Sequence, residues 1–385
     1  MFKSIVVVKI SNFALEYDNE TKEQFEECIL NNFVKRASLM PDAHSGYFAP
    51  IGSVIETEKI IVPQWIGFDI GCGVLALKLV DSNRFYEQIC ANKETIFKSV
   101  TSKIPMGVSL YNMNQDKKRA IFLEYKKLVC DFKKNIDYNH EDYKLLKSQI
   151  TDNNFGTLGS GNHFIEIDFD SSFNIWIVIH SGSRNVGKKI AERYMEIAKC
   201  RSGYPGLDIS SKEGIDYVRA MDFAIKYAQL NRLSMAYDVV DVIEKIIGEK
   251  LNFEVFANNS HNHAVICNDS SIIHRKGAVS AKKDEKGIIP ANMRDGCFLV
   301  LGLGNYEFLF SSSHGAGRKF SRKVAKERIM FNDFCNQIQN VVCRRDESFI
   351  DEAPCAYKNI YDVMNMQKKS VLVVDHLTPL INFKG

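Results

Sequence analysis

A cysteine set between two glycines and three positions after an aspartate, in Gly67-Phe68-Asp69-Ile70-Gly71-Cys72-Gly73, is poor core material. Glycine neighbours remove the side chains that would pack around it and admit unusual backbone angles. The arrangement suits a thiolate and a carboxylate aimed into one cleft, where both can bind a metal. The bland alternative is a buried cysteine beside a turn-capping aspartate. Histidines recur further along in similarly small, polar settings. His163 ends Gly161-Asn162-His163, His180 closes the apolar run IWIVI and opens SGSR, and His261 lies in FANNSHNH. Each alone reads equally well as a hydrogen-bonded strand-end or loop histidine. Together, one carboxylate, one thiolate and three imidazoles could serve one or two divalent ions. Such mixed ligation is compatible with Mn, Zn or Fe.

A second chemistry is written in residues 311–328, SSSHGAGRKFSRKVAKER. Gly315-Ala316-Gly317 is small enough for close backbone approach to a phosphate. The residues after Gly317 read as a helix start, whose free N–H groups favour anions. A ligand histidine would not need a phosphate loop; a nucleophilic His314 would. Arg318, Lys319, Arg322, Lys323, Lys326 and Arg328 form the densest basic run in the chain. Such runs are usually solvated helix faces. Arg184 and Lys276 could add charge for phosphate oxygens.

These residues need a scaffold. Residues 5–8, 74–80, 175–179, 298–301 and 371–374 are short apolar runs that read as strands. Segments 84–100 and 115–150 read as helical, as do residues after Gly187 up to Cys200. The clearest helix covers 213–247, where Ile215, Val218, Met221, Ile225 and Ala228 recur at three- and four-residue spacing. The Gly-rich segments fall beside the apolar runs, as active-site loops do on a rigid sheet. Alternation is too irregular for a Rossmann or barrel fold. The expected architecture is a single mixed α+β domain over 1–385, central sheets with helical insertions and a metal/nucleotide cleft.

Composition sets outer limits. Of 385 residues, 45% are hydrophobic and 25% charged, ordinary for a globular protein. The net charge of +3 means that any basic surface for nucleic acid is local. No apolar run approaches the roughly 20 residues that span a bilayer, so no membrane partner is expected. The N-terminus has no small-residue cleavage site, and ten cysteines are scattered without regular spacing. Reduced thiols in a cytoplasmic setting are expected.

The chain resembles the RtcB-type RNA-splicing ligases. The resemblance runs through MPDAHSGYFAPIGSVIET (40–57), GFDIGCG (67–73), GTLGSGNHFIEI (156–167), IHSGSRNVG (179–187), SHN (260–262), HRKGA (274–278), SHGAGR (313–318) and Lys384-Gly385. It implies GTP- and Mn-dependent joining of an RNA end bearing a 2′,3′-cyclic phosphate or 3′-phosphate to a 5′-hydroxyl end, in RNA repair or tRNA splicing. By the same matching His314 takes GMP covalently, and Asp69, Cys72, His163, His180 and His261 hold two Mn ions with the cysteine bridging. The implied nucleotide contacts are Asn162, His163, Phe164, Ile165 and Glu166, then His261, then Pro290, Ala291, Asn292 and Met293, then His314, Gly315, Ala316 and Gly317, and finally Lys384. Cys297, counted with these contacts, stands where many members place a nucleotide-contacting serine, and Phe48-Ala49 stands where a glycine is common. Asp42 matches a family acidic residue near the site. A nearby carbonyl or carboxylate is expected to hold the His314 tautomer. These departures and the compact length read as a divergent bacterial-type branch, and the need for an activating protein partner stays open. The rival readings are a metal-dependent phosphodiesterase or phosphatase on RNA ends, which leaves His314 without a task, and a non-catalytic RNA-binding descendant.

Overall fold

The computed structural model describes residues 8–107, 120–135, 146–147, 150, 153–202, 206–267 and 270–385. Two sheets organise them. One has five strands in the order Lys9–Asn12, Val34–His44, Ile51–Glu58, Ser271–Lys276, Asn262–Ile266. The other has eight. Its main path runs Lys286–Pro290, Cys297–Gly302, Val371–Lys384, Phe164–Phe169, Ile175–Ser181, Gly73–Leu79, Phe253–Ser260, and Val342–Cys343 pairs with Val371–Lys384. Neighbours along that main path are antiparallel wherever they pair directly. This is the mixed α+β arrangement that the sequence predicts.

Side chains alternate across the large sheet, as the period of a strand requires. Leu75, Leu77 and Leu79 pack on one face with Ile165, Ile167, Ile177 and Ile179. Val74 and Ala76 pack on the other with Phe164, Trp176 and Val178. The first face is covered by the long helix Lys212–Ile247, through Met235, Ala236, Val239 and Ile243. Ser211 caps that helix by accepting from the Gly214 N–H at 3.0 Å, and Gly248 ends it at φ 80°. The other half of the helix packs with Val186–Ser202 and Ala120–Asn135, burying Tyr194, Tyr217, Phe223 and Tyr125.

The expected strands at 74–80, 175–179, 298–301 and 371–374 are all present, the last as part of a 14-residue strand. The run 5–8 lies outside the described residues except for Val8, as does much of 115–150. Segment 84–100 divides into Tyr86–Ala91 and Lys93–Lys103. The helix expected directly after Gly317 starts only at Arg322, capped by Ser321.

Candidate metal and nucleophile site

Four histidine and cysteine side chains meet at one end of the large sheet. Cys72 and His163 immediately precede their strands, Gly73–Leu79 and Phe164–Phe169. His180 lies near the end of Ile175–Ser181, and His261 joins Phe253–Ser260 to Asn262–Ile266. Antiparallel register superposes these ends: Val74 pairs His180, Phe164 pairs His180, and Gly73 pairs Ser260. Cys72 Sγ is 3.5 Å from His163 Nε2 and 3.3 Å from His180 Nε2. Asp69 Oδ2 is 3.4 Å from His163 Nε2. Two donor triads result, Asp69–Cys72–His163 and Cys72–His180–His261, each with ligand atoms within 4.8 Å of one another. The sulfur belongs to both.

The donor set fits divalent cations. His163 Nδ1–H donates to the Leu158 carbonyl at 3.0 Å, which leaves the Nε2 lone pair facing the sulfur. Burial, reinforced by neighbouring histidines, holds His180 and His261 well below the ordinary histidine range. Neutral imidazole is the ligating form. His261 Nδ1 is buried with no hydrogen-bond partner. Burial and then the Asp69 carboxylate push the Cys72 thiol up, while Arg232 opposes them. A cation on the sulfur would supply the charge that a buried thiolate needs.

The loops carrying these ligands are fastened to the long helix by two buried polar residues. Arg232 Nη1 donates to the carbonyls of Gly71 at 3.1 Å and Ser181 at 2.8 Å. Asn231 accepts from the Gly156 N–H at 2.8 Å and donates to the Thr157 carbonyl at 3.0 Å. Asn262 donates to the Asp69 carbonyl at 3.2 Å and accepts from the Gly277 N–H at 2.9 Å. Gly182 has to be glycine, because a Cβ there would lie 2.5 Å from Asp69 Oδ1.

His314 reaches the same place from a separate two-stranded ribbon, Ala278–Ser280 paired with Ser311–Ser313. It follows Ser311–Ser313, and its ring lies 4.8 Å, centroid to centroid, from that of His261. Asp42, fully buried in Val34–His44, accepts from His314 Nδ1–H at 2.7 Å and from the His314 backbone N–H at 3.2 Å. This carboxylate fixes the tautomer and leaves Nε2 with its lone pair. Lys358 Nζ donates to the carbonyls of Glu16 and Ala43, both at 2.6 Å, which brings a buried cation close to Asp42. Gly317 (φ 72°) passes so close to Asp42 that a Cβ would lie 2.2 Å from its carbonyl oxygen.

Both groups open onto one cleft of about 570 Å³, lined also by Asn162, Phe164, Glu166, Pro290, Ala291, Asn292, Met293, Gly315, Ala316, Gly317 and Lys384. Ile165, by strand alternation, faces the core on the other side of the sheet and is fully buried there. Cys297 sits behind the wall, its Sγ donating to Glu166 Oε2 at 3.6 Å. Burial pushes the Glu166 carboxyl up to about 7, while Asn382 Nδ2 donates to it at 2.7 Å. Glu352 is the hub of a charged cluster beside this wall, joined to it through Lys384. It accepts from Arg322 Nη1 at 2.6 Å and Tyr357 Oη at 2.8 Å, and it pairs with Lys384 Nζ. Burial opposes its ionisation, but Lys384 and Arg322 hold it down at about 2. Asp351 accepts from Arg322 at 2.6 Å and pairs with Lys326 at 3.5 Å. Part of the basic run thus neutralises buried carboxylates rather than facing solvent.

A family model described as tRNA-splicing ligase RtcB matches residues 27–385. The chain belongs to the RtcB family. It is 33% identical to the RNA-splicing ligase RtcB of Escherichia coli K12, covering 91% of this chain and 90% of that protein. It is 27% identical to the tRNA-splicing ligase RtcB of Nanoarchaeum equitans, covering 93% and 90%.

Membership in the RtcB family does not by itself point to Asn231, Arg232, Glu352 or Lys358, and sequence reasoning passed over them. For the helix pair a signal existed. Asn231 and Arg232 continue the buried stripe of Ala228, Met235 and Ala236, and a polar residue in an apolar stripe needs partners. Glu352 and Lys358 carried no local signal, because their charged or carbonyl partners Arg322, Lys384, Glu16 and Ala43 lie 30 or more positions away.

Proposed function

We propose that this protein is an RNA ligase, one domain over residues 1–385, joining a 3′-phosphate or 2′,3′-cyclic phosphate end to a 5′-hydroxyl end through a covalent histidine–GMP at His314. The observation that carries this reading is the placement of His314. Its Nδ1–H is held by Asp42 at 2.7 Å, and its ring lies beside a sulfur-centred donor cluster. A phosphodiesterase would need the cluster but not an oriented free Nε2.

In this reading His314 Nε2 attacks the α-phosphorus of GTP. A P–N bond forms, the bond to the bridging oxygen of the β-phosphate breaks, and pyrophosphate leaves with the electron pair. The imidazole gains positive charge, which the Asp42 carboxylate offsets across the Nδ1–H. A cyclic phosphate is first opened by water to the 3′-phosphate. An oxygen of that 3′-phosphate then displaces His314 from GMP. Finally the 5′-hydroxyl oxygen attacks the 3′-phosphate phosphorus, loses its proton, and GMP departs. Asp69, Cys72, His163, His180 and His261 would hold two Mn ions, which supply Lewis-acid charge for the phosphoryl oxygens. Glu166, Asn382 and Lys384 form the wall assigned to the GTP base, with Cys297 supporting Glu166 from behind. RNA repair or tRNA splicing in the cytoplasm is the setting proposed. Among the described residues no helix is long and apolar enough to cross a membrane.

The test is incubation with α-³²P-GTP and Mn followed by a denaturing gel. A label on wild type that is absent from His314→Ala is expected. Absence of label on metal-loaded wild type refutes the proposed intermediate.

A further inference from the structure

Metal binding and guanylylation leave an aromatic rim without a task. Tyr47 is 74% exposed and Phe48 is 47% exposed. Tyr47 meets Phe68 edge-on at 5.8 Å, and Phe48 meets Phe68 at 6.0 Å. Tyr47 and Phe68 line the same cleft as Cys72 and His314. A contiguous apolar patch at a polar cleft marks a place where something is bound.

The loop bearing these rings is held firmly. From the helix Asn19–Ile29, Gln24 Nε2 donates to the Gly46 carbonyl at 2.8 Å, and Gln24 Oε1 accepts from the Gly46 N–H at 3.0 Å. Cys28 Sγ donates to the Phe48 carbonyl at 3.7 Å. Phe48 is kept at φ 23°, a conformation that a bulky side chain avoids. Strain of this kind persists where the surroundings impose it, and it clusters at ligand clamps. The rings are therefore preorganised, which lowers the entropic cost of binding.

A cation stands beside them. Lys276 lines the cleft, is 7% exposed, and its Nζ has no hydrogen-bond partner. It packs at Gly67, the residue before Phe68, where an added Cβ would lie 3.4 Å from Lys276 Cε. An exposed ring next to an unpaired buried ammonium matches a nucleotide, with the base on the ring and the phosphate on the ammonium.

We propose that Tyr47 and Phe68 form a stacking platform for the terminal base of the RNA strand that carries the 5′-hydroxyl, with Lys276 on its first phosphodiester. The assignment to that strand rests on the ligase reading. In-line displacement puts the entering oxygen and the departing GMP on opposite sides of phosphorus. The wall read as the GMP site is built from Phe164–Phe169 and Val371–Lys384, with residues 290–293 and 314–317 beside it. The rim comes from other elements, the 45–50 loop and the 67–69 turn, and so is left for the entering strand.

The test titrates wild type, Tyr47→Ala and Tyr47→Phe with an RNA carrying 2-aminopurine at its 5′-hydroxyl end, whose fluorescence falls when the base stacks. Quenching by wild type and Tyr47→Phe, lost in Tyr47→Ala, is expected. So is a rise of about tenfold or more in the KM of Tyr47→Ala for that strand, with kcat little changed. Equal quenching by wild type and Tyr47→Ala overturns the platform. Quenching only when the probe sits at the 3′-phosphate end overturns the strand assignment. Wild type that takes no label from GTP, yet quenches in a Tyr47-dependent way, sinks the ligase reading and leaves the base platform standing. Tyr47 makes few buried contacts, so its variants fold.

Discussion

Replacing Asp42 by asparagine isolates the charge behind His314 while keeping the side-chain shape. In the wild type the fully buried carboxylate accepts the Nδ1–H at 2.7 Å, and the histidine side chain is itself only 16% exposed. Water therefore screens the pair weakly. A hydrogen bond to a charged group is worth about 1.5–3 kcal/mol net. At 1.36 kcal/mol per decade, its loss slows the reaction by roughly 10- to 150-fold. The interaction strengthens as the ring becomes cationic, so the cost falls on the transition state, and a value near the top of that range is expected. Single-turnover labelling with α-³²P-GTP at saturating nucleotide reads it directly. Labelling of Asp42→Asn at the wild-type rate would refute the argument.

Because one sulfur serves both donor triads, the two-metal reading predicts that Cys72→Ala loses both ions rather than one. Metal analysis after gel filtration should give well under one equivalent per chain, and a retained single equivalent contradicts the shared ligand. Glu352→Gln tests the cation hub and its pH dependence. The Glu352 carboxyl is lowered from 4.5 to about 2, so its stabilisation is complete above about pH 4.5 and is lost as pH falls through 2. That shift corresponds to about 3 kcal/mol at neutral pH. Denaturant unfolding should show a loss of that order at pH 7 that shrinks toward pH 2.5; an equal loss at both would exclude the charge mechanism.

The candidate ligand and nucleophile residues are legible in the sequence because chemistry-bearing side chains sit in Gly/Ser/Asn loops that flank apolar runs. Asp69, Cys72, His163, His180, His261 and His314 all stand out in this way, and the structure brings them together. Their supports are harder to read. Asp42 lies 272 positions from His314, and Glu352 lies 32 positions from Lys384. No local periodicity links such pairs. The His314 tautomer could be expected to have an acceptor, but the motif itself could not supply it. Ile165 points away from the cleft for a local reason, since strand alternation turns its side chain into the core while Phe164 and Glu166 face the cleft. The short segment 318–321 diverges from the expected helix because Arg318 bridges to Tyr357 and donates to the Asp351 carbonyl at 2.6 Å.

The strand Val371–Lys384 lies inside the large sheet, pairing with Cys297–Gly302 along one edge and Phe164–Phe169 along the other. It also leaves the ribosome after every other described strand of that sheet. Until it inserts, Phe164–Phe169 lacks a neighbour on that side and Glu352 lacks Lys384. The ligand loops can be made early in synthesis, yet the wall facing them closes only after residues 371–384 emerge. Joining this strand to partners more than 200 residues upstream is a long loop closure, which slows folding. A nascent chain halted before this strand would hold Asp69, Cys72, His163, His180, His261 and His314 without the site's final wall.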